Sequence, residues 1–157
     1  MDSPKAAPRS LPRATAGAAA SAQRIAWLLI ASTAAVVLVL AWALQPDPSG
    51  MGTHEQLGLP PCGFLYMTTL PCPGCGLTTS FAHMARLQIT SAASAHPLGI
   101  PLFMLTCVAI PFAIVACVRG VPVVTTIERM RVSQGLLLLS AAALVAWLAR
   151  LLSIVVA

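Results

Sequence analysis

Residues 25–44 read IAWLLIASTAAVVLVLAWAL, without a single charge. At 1.5 Å per residue a helix of that length crosses a hydrocarbon core of about 30 Å. Two further stretches behave alike, 98–118 and 134–157, the latter carrying Arg150 as its one charge close to the far end. Hydrophobic residues make up 58% of the 157-residue chain and charged residues 8%, against about 25% charged in ordinary soluble domains. Too little polar surface remains to enclose three such helices, so their sides face lipid. The expected fold is an all-α membrane protein with three transmembrane helices in a lipid bilayer. Trp27 and Trp42, near the two ends of the first stretch, are expected at the headgroup level, where indole rings are favoured.

The net charge of +5 is distributed in a way that argues for membrane orientation and against a nucleic-acid partner. Lys5, Arg9, Arg13 and Arg24 precede the first span, and Arg119, Arg129 and Arg131 lie between the second and third, whereas the 45–97 segment carries only Arg86. Basic residues concentrate on the cytoplasmic side of membrane proteins. The expected order is therefore a cytoplasmic tail over 1–24, disordered by its Ala, Pro, Ser and Arg content, a first span over 25–44 and an outer segment over 45–97. A second span over 98–118, a cytoplasmic loop over 119–133 and a third span over 134–157 follow, the C-terminus lying outside. An alternative reading takes residues 1–43 as a signal peptide ending at Ala41-Trp42-Ala43, which leaves two spans.

The outer segment holds the chemistry. Prolines and glycines from Pro46 to Pro61 predict irregular backbone, and the apolar run 62–70 is too short to span. Leu77, Phe81 and Met84 recur at helical spacing and predict a short amphipathic helix over 77–87, with another turn over 89–95. Cys75, Thr79, His83 and Arg86 fall on the opposite face of that helix, where Arg86 or His83 is expected to stabilise a Cys75 thiolate. Pro97 begins the second span and Pro111 interrupts it.

Cys107 and Cys117 lie ten residues apart on one helix, about 15 Å along its axis, and behave as small apolar side chains. Cys62, Cys72 and Cys75 share the outer segment. Pro73, Gly74 and Gly76 allow the backbone to fold around two sulfurs, and Cys75 stands where a helix begins, a position expected to lower its pKa. Such a turn is half of a zinc-type thiolate site. His96 is the expected fourth ligand and His54 the alternative; His83, about 12 Å from Cys75 along a straight helix, is out of reach. The same turn also suits a structural disulfide in an adaptor for a membrane partner protein, or a thiol–disulfide switch. Small residues at Ala31, Ala34, Ala35 and 141–143 suit close helix contacts. Only four acidic residues are present, and no nucleophile–base pair, carboxylate pair or phosphate loop marks an enzyme.

Cys62, the string Pro71-Cys72-Pro73-Gly74-Cys75-Gly76-Leu77-Thr78 and His96-Pro97-Leu98 entering a span resemble the domain-of-unknown-function 2752 family of small bacterial membrane proteins. The resemblance covers about 60–118 and implies a bacterial inner-membrane address and a shared architecture, without an activity. The family follows its string with Arg where this chain has Thr79, so the role of that Arg would fall to Arg86 or Arg150.

Overall fold

The structure, a computed structural model, describes residues 13–156. The order is α1 (Arg13–Ala43), a 3₁₀ turn (Thr53–Leu57), α2 (Gly63–Thr68), α3 (Leu77–Met84), α4 (Ile89–Ala95), α5 (Gly99–Arg119), α6 (Val123–Arg129) and α7 (Val132–Val156), with no strand among the described residues. Three helical stretches are long and apolar enough to cross a membrane: Ala19–Ala43, Gly99–Arg119 and Val132–Ala149. The expected all-helical fold with three spans is borne out.

Helix α1 starts earlier than composition suggested. Residues 13–24, expected to be a disordered tail, are helical. The stretch just before Arg24 reads AAASAQ over 18–23, and alanine has the highest intrinsic helix propensity. Lys5 and Arg9 lie outside the described residues, as do the side chains of Arg13 and Arg150.

Helices α1 and α5 pack antiparallel. The Arg24 carbonyl lies 3.8 Å from Cys117 Sγ, so the start of the first span meets the end of the second. Trp27 is 4% exposed and seats its ring among Ala113, Ala116 and Ala31, edge-on to Phe112. Its indole N–H donates to the Val121 carbonyl at 2.8 Å. Small residues on α5 leave a socket for the ring, and burying a large aromatic with its N–H paired is favourable. Trp42 is 71% exposed, and Ala34, one of the small residues expected to allow close packing, is buried.

The segment between the first two spans folds over the far end of that pair. Gly76 begins α3 at φ +90°, and a methyl group there would strike the carbonyl oxygens of Ala95 and Gly50. Ser80, fully buried, donates to the Ala92 carbonyl at 2.8 Å and the His96 carbonyl at 3.1 Å. A methyl on Gly99 would run into Ser80 itself. These contacts bind α3, α4 and the start of α5 into one knot. Phe81 meets Phe103 edge-on with centroids 5.5 Å apart.

Between α5 and α7 the expected simple loop contains α6. Its Val123, Val124, Thr125, Thr126 and Ile127 are β-branched and poor in helix propensity, which hides it from a sequence reading. Helix α7 packs on α6 at one end and is otherwise largely exposed. At its other end the Trp147 indole N–H donates to the Pro71 carbonyl at 2.7 Å, and its ring meets Phe64 edge-on. Arg24, Arg119, Arg129 and Arg131 therefore collect at one end of the helices and the cysteine-bearing segment at the other.

Candidate metal centre

The turn at Pro71 to Gly76 begins where Trp147 holds the Pro71 carbonyl and ends at the left-handed Gly76. Within it the Cys75 N–H donates to the Cys72 carbonyl at 3.1 Å, closing a tight loop. The Cys72 N–H points at Cys75 Sγ, 3.2 Å away, and Cys75 Sγ–H points at Cys72 Sγ at 3.0 Å. Cys62, the residue before α2, brings a third sulfur. The three Sγ atoms all lie within 4.8 Å of one another. Gly74 has no positive φ and open space where a methyl would go; of the two glycines expected to shape the turn, only Gly76 is required.

Around a tetrahedral zinc ion with Zn–S bonds of about 2.3 Å, neighbouring sulfurs stand about 3.8 Å apart. The observed separations, from 3.0 Å up to no more than 4.8 Å, bracket that spacing, so small side-chain adjustments would bring the sulfurs to it. Cys107 and Cys117 lie in α5 and are not part of the group, as expected.

The electrostatics of Cys62 and Cys75 differ. The Leu65 N–H in the first turn of α2, then the Cys75 and Cys72 thiols, lower the Cys62 pKa, although its sulfur makes no capping hydrogen bond of good geometry. Burial, then the Cys72 thiol beside it, pushes Cys75 up to about 12. This corrects the expectation of a depressed Cys75 pKa. The helix dipole acts within one turn and yields a modest effect, whereas removing a thiolate from water next to other sulfurs costs more. Three thiolates this close need a cation among them; without one, Cys75 keeps its proton longer than Cys62. In reduced, metal-free protein at about pH 8, iodoacetamide is expected to modify Cys62 before Cys75, because a lowered pKa leaves more thiolate at a given pH. Mass-spectrometric mapping of the first adduct checks this, and Cys75 reacting first would contradict it.

Other expected site residues sit elsewhere. The face expected to serve Cys75 does not reach it. Thr79 is fully buried and shares a hydrogen bond of 2.8 Å with Thr53. His83 Nδ1 is bonded to the Gln88 side chain at 2.7 Å. Arg86 donates to the carbonyls of Ala41, Trp42 and Ala82, at 3.3, 3.1 and 2.8 Å. Two of those carbonyls end α1, where a guanidinium both satisfies the exposed acceptors and meets the negative end of the helix dipole. Neither residue has reach to spare for a thiolate.

His96 is close to the turn without joining the sulfurs. Its extended backbone, expected from the following proline, directs the ring so that Nε2 lies 3.0 Å from the Pro73 carbonyl. A carbonyl only accepts, so Nε2 carries the proton there. Nδ1 is buried without a hydrogen-bond partner. The group of metal-competent side chains contains the three cysteines and neither His96 nor His54.

A cleft of about 580 Å³ opens over the sulfurs, and Met51, His54 and Glu55 line its other wall with Leu65. Sequence reasoning overlooked Met51 and Glu55 because nothing in their spacing ties them to the cysteines; a chain reversal at Gly50 and Gly52, both at positive φ, brings them there. Thr53 was missed for the same reason, and Trp147 because it reaches the Pro71 carbonyl from α7, 76 residues away.

Residues 62–110 are similar to the family described as Protein of unknown function (DUF2752). The match begins at Cys62 and ends inside α5, taking in the three clustered cysteines and His96, and the family resemblance read from the sequence is borne out over that stretch. No curated protein and no solved structure matches the chain.

Proposed function

We propose that the chain is a bacterial inner-membrane protein that holds one thiolate-bound metal ion of the zinc type on Cys62, Cys72 and Cys75, on the outer face of the membrane. The observation that carries this reading is the convergence of three sulfurs within 4.8 Å from two separate elements, the residue before α2 and the turn before α3. A pair of cysteines in one turn is common to several chemistries. A third sulfur, brought in from ten residues earlier in the chain, is what a metal site needs and a single disulfide does not.

Structural and exchangeable roles for the ion differ in whether the site is closed. Here one side of the cluster faces the cleft that His54 and Glu55 border, which favours an ion that is reachable from solution. The test of the reading is elemental analysis of purified protein, described in the Discussion. The alternative, a Cys72–Cys75 disulfide that is structural or switches, draws on the 3.0 Å contact between those sulfurs; it predicts two oxidised thiols in place of a bound ion.

The outward placement rests on the basic residues gathered at the opposite end of the helices. In a background without native cysteines, Ser49→Cys is expected to react with a membrane-impermeant maleimide in intact cells, and Ser133→Cys only after permeabilisation. Both serines are exposed. The reverse pattern would turn the protein over and place the cluster in the cytoplasm.

A further inference from the structure

Whether the fourth ligand comes from His54, His96 or Glu55 is open in a site of three sulfurs, and the three histidines of the chain can be compared directly. His83 is bonded to Gln88 and lines a different cavity, between Asp47 and Ser94. His96 spends Nε2 on the Pro73 carbonyl, and its ring lines a cleft on the other side of the turn, against Leu98, Leu102 and α7. Of the three, His54 alone lines the cleft that contains Cys62, Cys72 and Cys75; its ring nitrogens stand outside the 4.8 Å group of sulfurs, so ligation requires the side chain to swing across the cleft. Among the described residues no hydrogen bond, ion pair or ring contact engages its imidazole.

The backbone beneath His54 is held with unusual care for a surface turn. The Thr53 side chain, fully buried, accepts from the Asp47 N–H at 3.0 Å and shares its second hydrogen bond with Thr79 of α3. Gly52 and Gly58, both left-handed at φ +96° and +75°, close the two ends of the turn. In a 3₁₀ helix, with about three residues per turn, successive side chains point about 120° apart. Pinning Thr53 inward against α3 therefore fixes the direction of His54, and that direction is along the wall of the thiol cleft. The same helix α3 begins just after Cys75, across Gly76. One buried Thr53–Thr79 contact thus sets His54 and the cysteine turn relative to each other.

We infer that His54 is the fourth ligand of the metal centre, completing a Cys₃His set, with Thr53 and Thr79 as positioning residues. This rests on the metal reading above and deepens it. A histidine is the donor that matches: three thiolates with a neutral imidazole leave a zinc site at net charge of about −1, whereas Glu55 as fourth ligand would leave about −2 beside a partly buried cluster, and Cys₃His is an established tetrahedral set. His96 then has a different task. Its Nε2–H on Pro73 fixes the carbonyl between the two cysteines of the turn, in the manner of the outer hydrogen bonds that orient metal ligands.

The test uses the full chain in detergent, loaded with zinc alone, with X-ray absorption at the zinc edge and competitive titration for affinity. Wild type is expected to show three sulfurs and one nitrogen, with the outer-shell scattering of a single imidazole. His54→Ala is expected to keep three sulfurs, lose the imidazole signal and bind zinc more weakly by about 10–100-fold or more. Thr53→Val is expected to retain the imidazole with a broader metal–nitrogen distance and to lower affinity by less. His96→Ala and Glu55→Gln are expected to leave the imidazole signal in place. An imidazole signal that survives His54→Ala and vanishes in His96→Ala would overturn the assignment while sparing the three-sulfur site. So would a fourth ligand without imidazole scattering in wild type. Zinc that Cys72→Ser retains at full stoichiometry would overturn both the assignment and the metal reading beneath it.

Discussion

Gly76→Ala is expected to destabilise the protein by about 2–5 kcal/mol, and Gly74→Ala, two residues away in the same turn, by less than about 1 kcal/mol. The left-handed backbone at Gly76 disfavours any residue with a Cβ by about 1–2 kcal/mol. The added methyl would also press on the Ala95 and Gly50 carbonyl oxygens, which are backbone atoms and cannot swing aside; overpacking of this kind costs about 1–3 kcal/mol. Moving the Ala95 carbonyl would disturb α4, on which Ser80 relies for its buried hydrogen bond to Ala92. Gly74 has neither a positive φ nor a neighbour within 4 Å of the would-be methyl. Thermal unfolding in detergent checks the pair, with a fall of more than about 5 °C expected for the first and little change for the second. Equal effects would mean that both glycines serve the sulfurs and not the fold.

Cys72→Ser and Cys75→Ser are each expected to abolish stoichiometric metal binding, and Cys62→Ser to do so nearly as completely. A zinc site of this kind derives its affinity from thiolate ligands, and a serine hydroxyl neither ionises at neutral pH nor matches the softness of the metal. Because the ion would tie the residue before α2 to the turn before α3, losing it should also loosen the segment as a whole. Cys107→Ala and Cys117→Ala are expected to retain the metal, since those residues lie within α5 and outside the cluster. Metal content and limited proteolysis of the five variants check this. Retention of metal by Cys62→Ser alone would reduce the cluster to the Cys72–Cys75 pair. Loading should also become harder as pH falls, because each thiol proton competes with the cation and burial makes the Cys75 proton hard to remove.

The spans were readable because lipid imposes a rule on length and polarity that sequence obeys plainly, and 25–44 shows it by itself. The short helix α4 was also readable as a turn over 89–95 stopped by His96-Pro97. Helical phase alone misplaced the polar residues of α3, because it places side chains on a face without saying what that face meets. Thr79 meets Thr53 from a segment 26 residues earlier, and Arg86 meets the end of α1, 44 and 45 residues earlier. Those partners are contacts of the tertiary fold. The same holds for the site: the cysteine trio was legible from its shared segment and its proline–glycine turn, whereas the wall opposite it, with His54 and Glu55, depends on a chain reversal that no periodicity marks. The Cys75 pKa ran opposite to expectation for a related reason, since burial is invisible in a sequence and the start of a helix is not.

The most direct test of the thiolate metal site is one sample measured two ways: elemental analysis of the full-length protein purified without added metal or chelator, and a count of alkylatable thiols before and after a strong chelator. The account predicts about one zinc-type ion per chain, with Cys62, Cys72 and Cys75 protected until the chelator removes it. No bound ion, together with a Cys72–Cys75 disulfide that opens only on reduction, would contradict it.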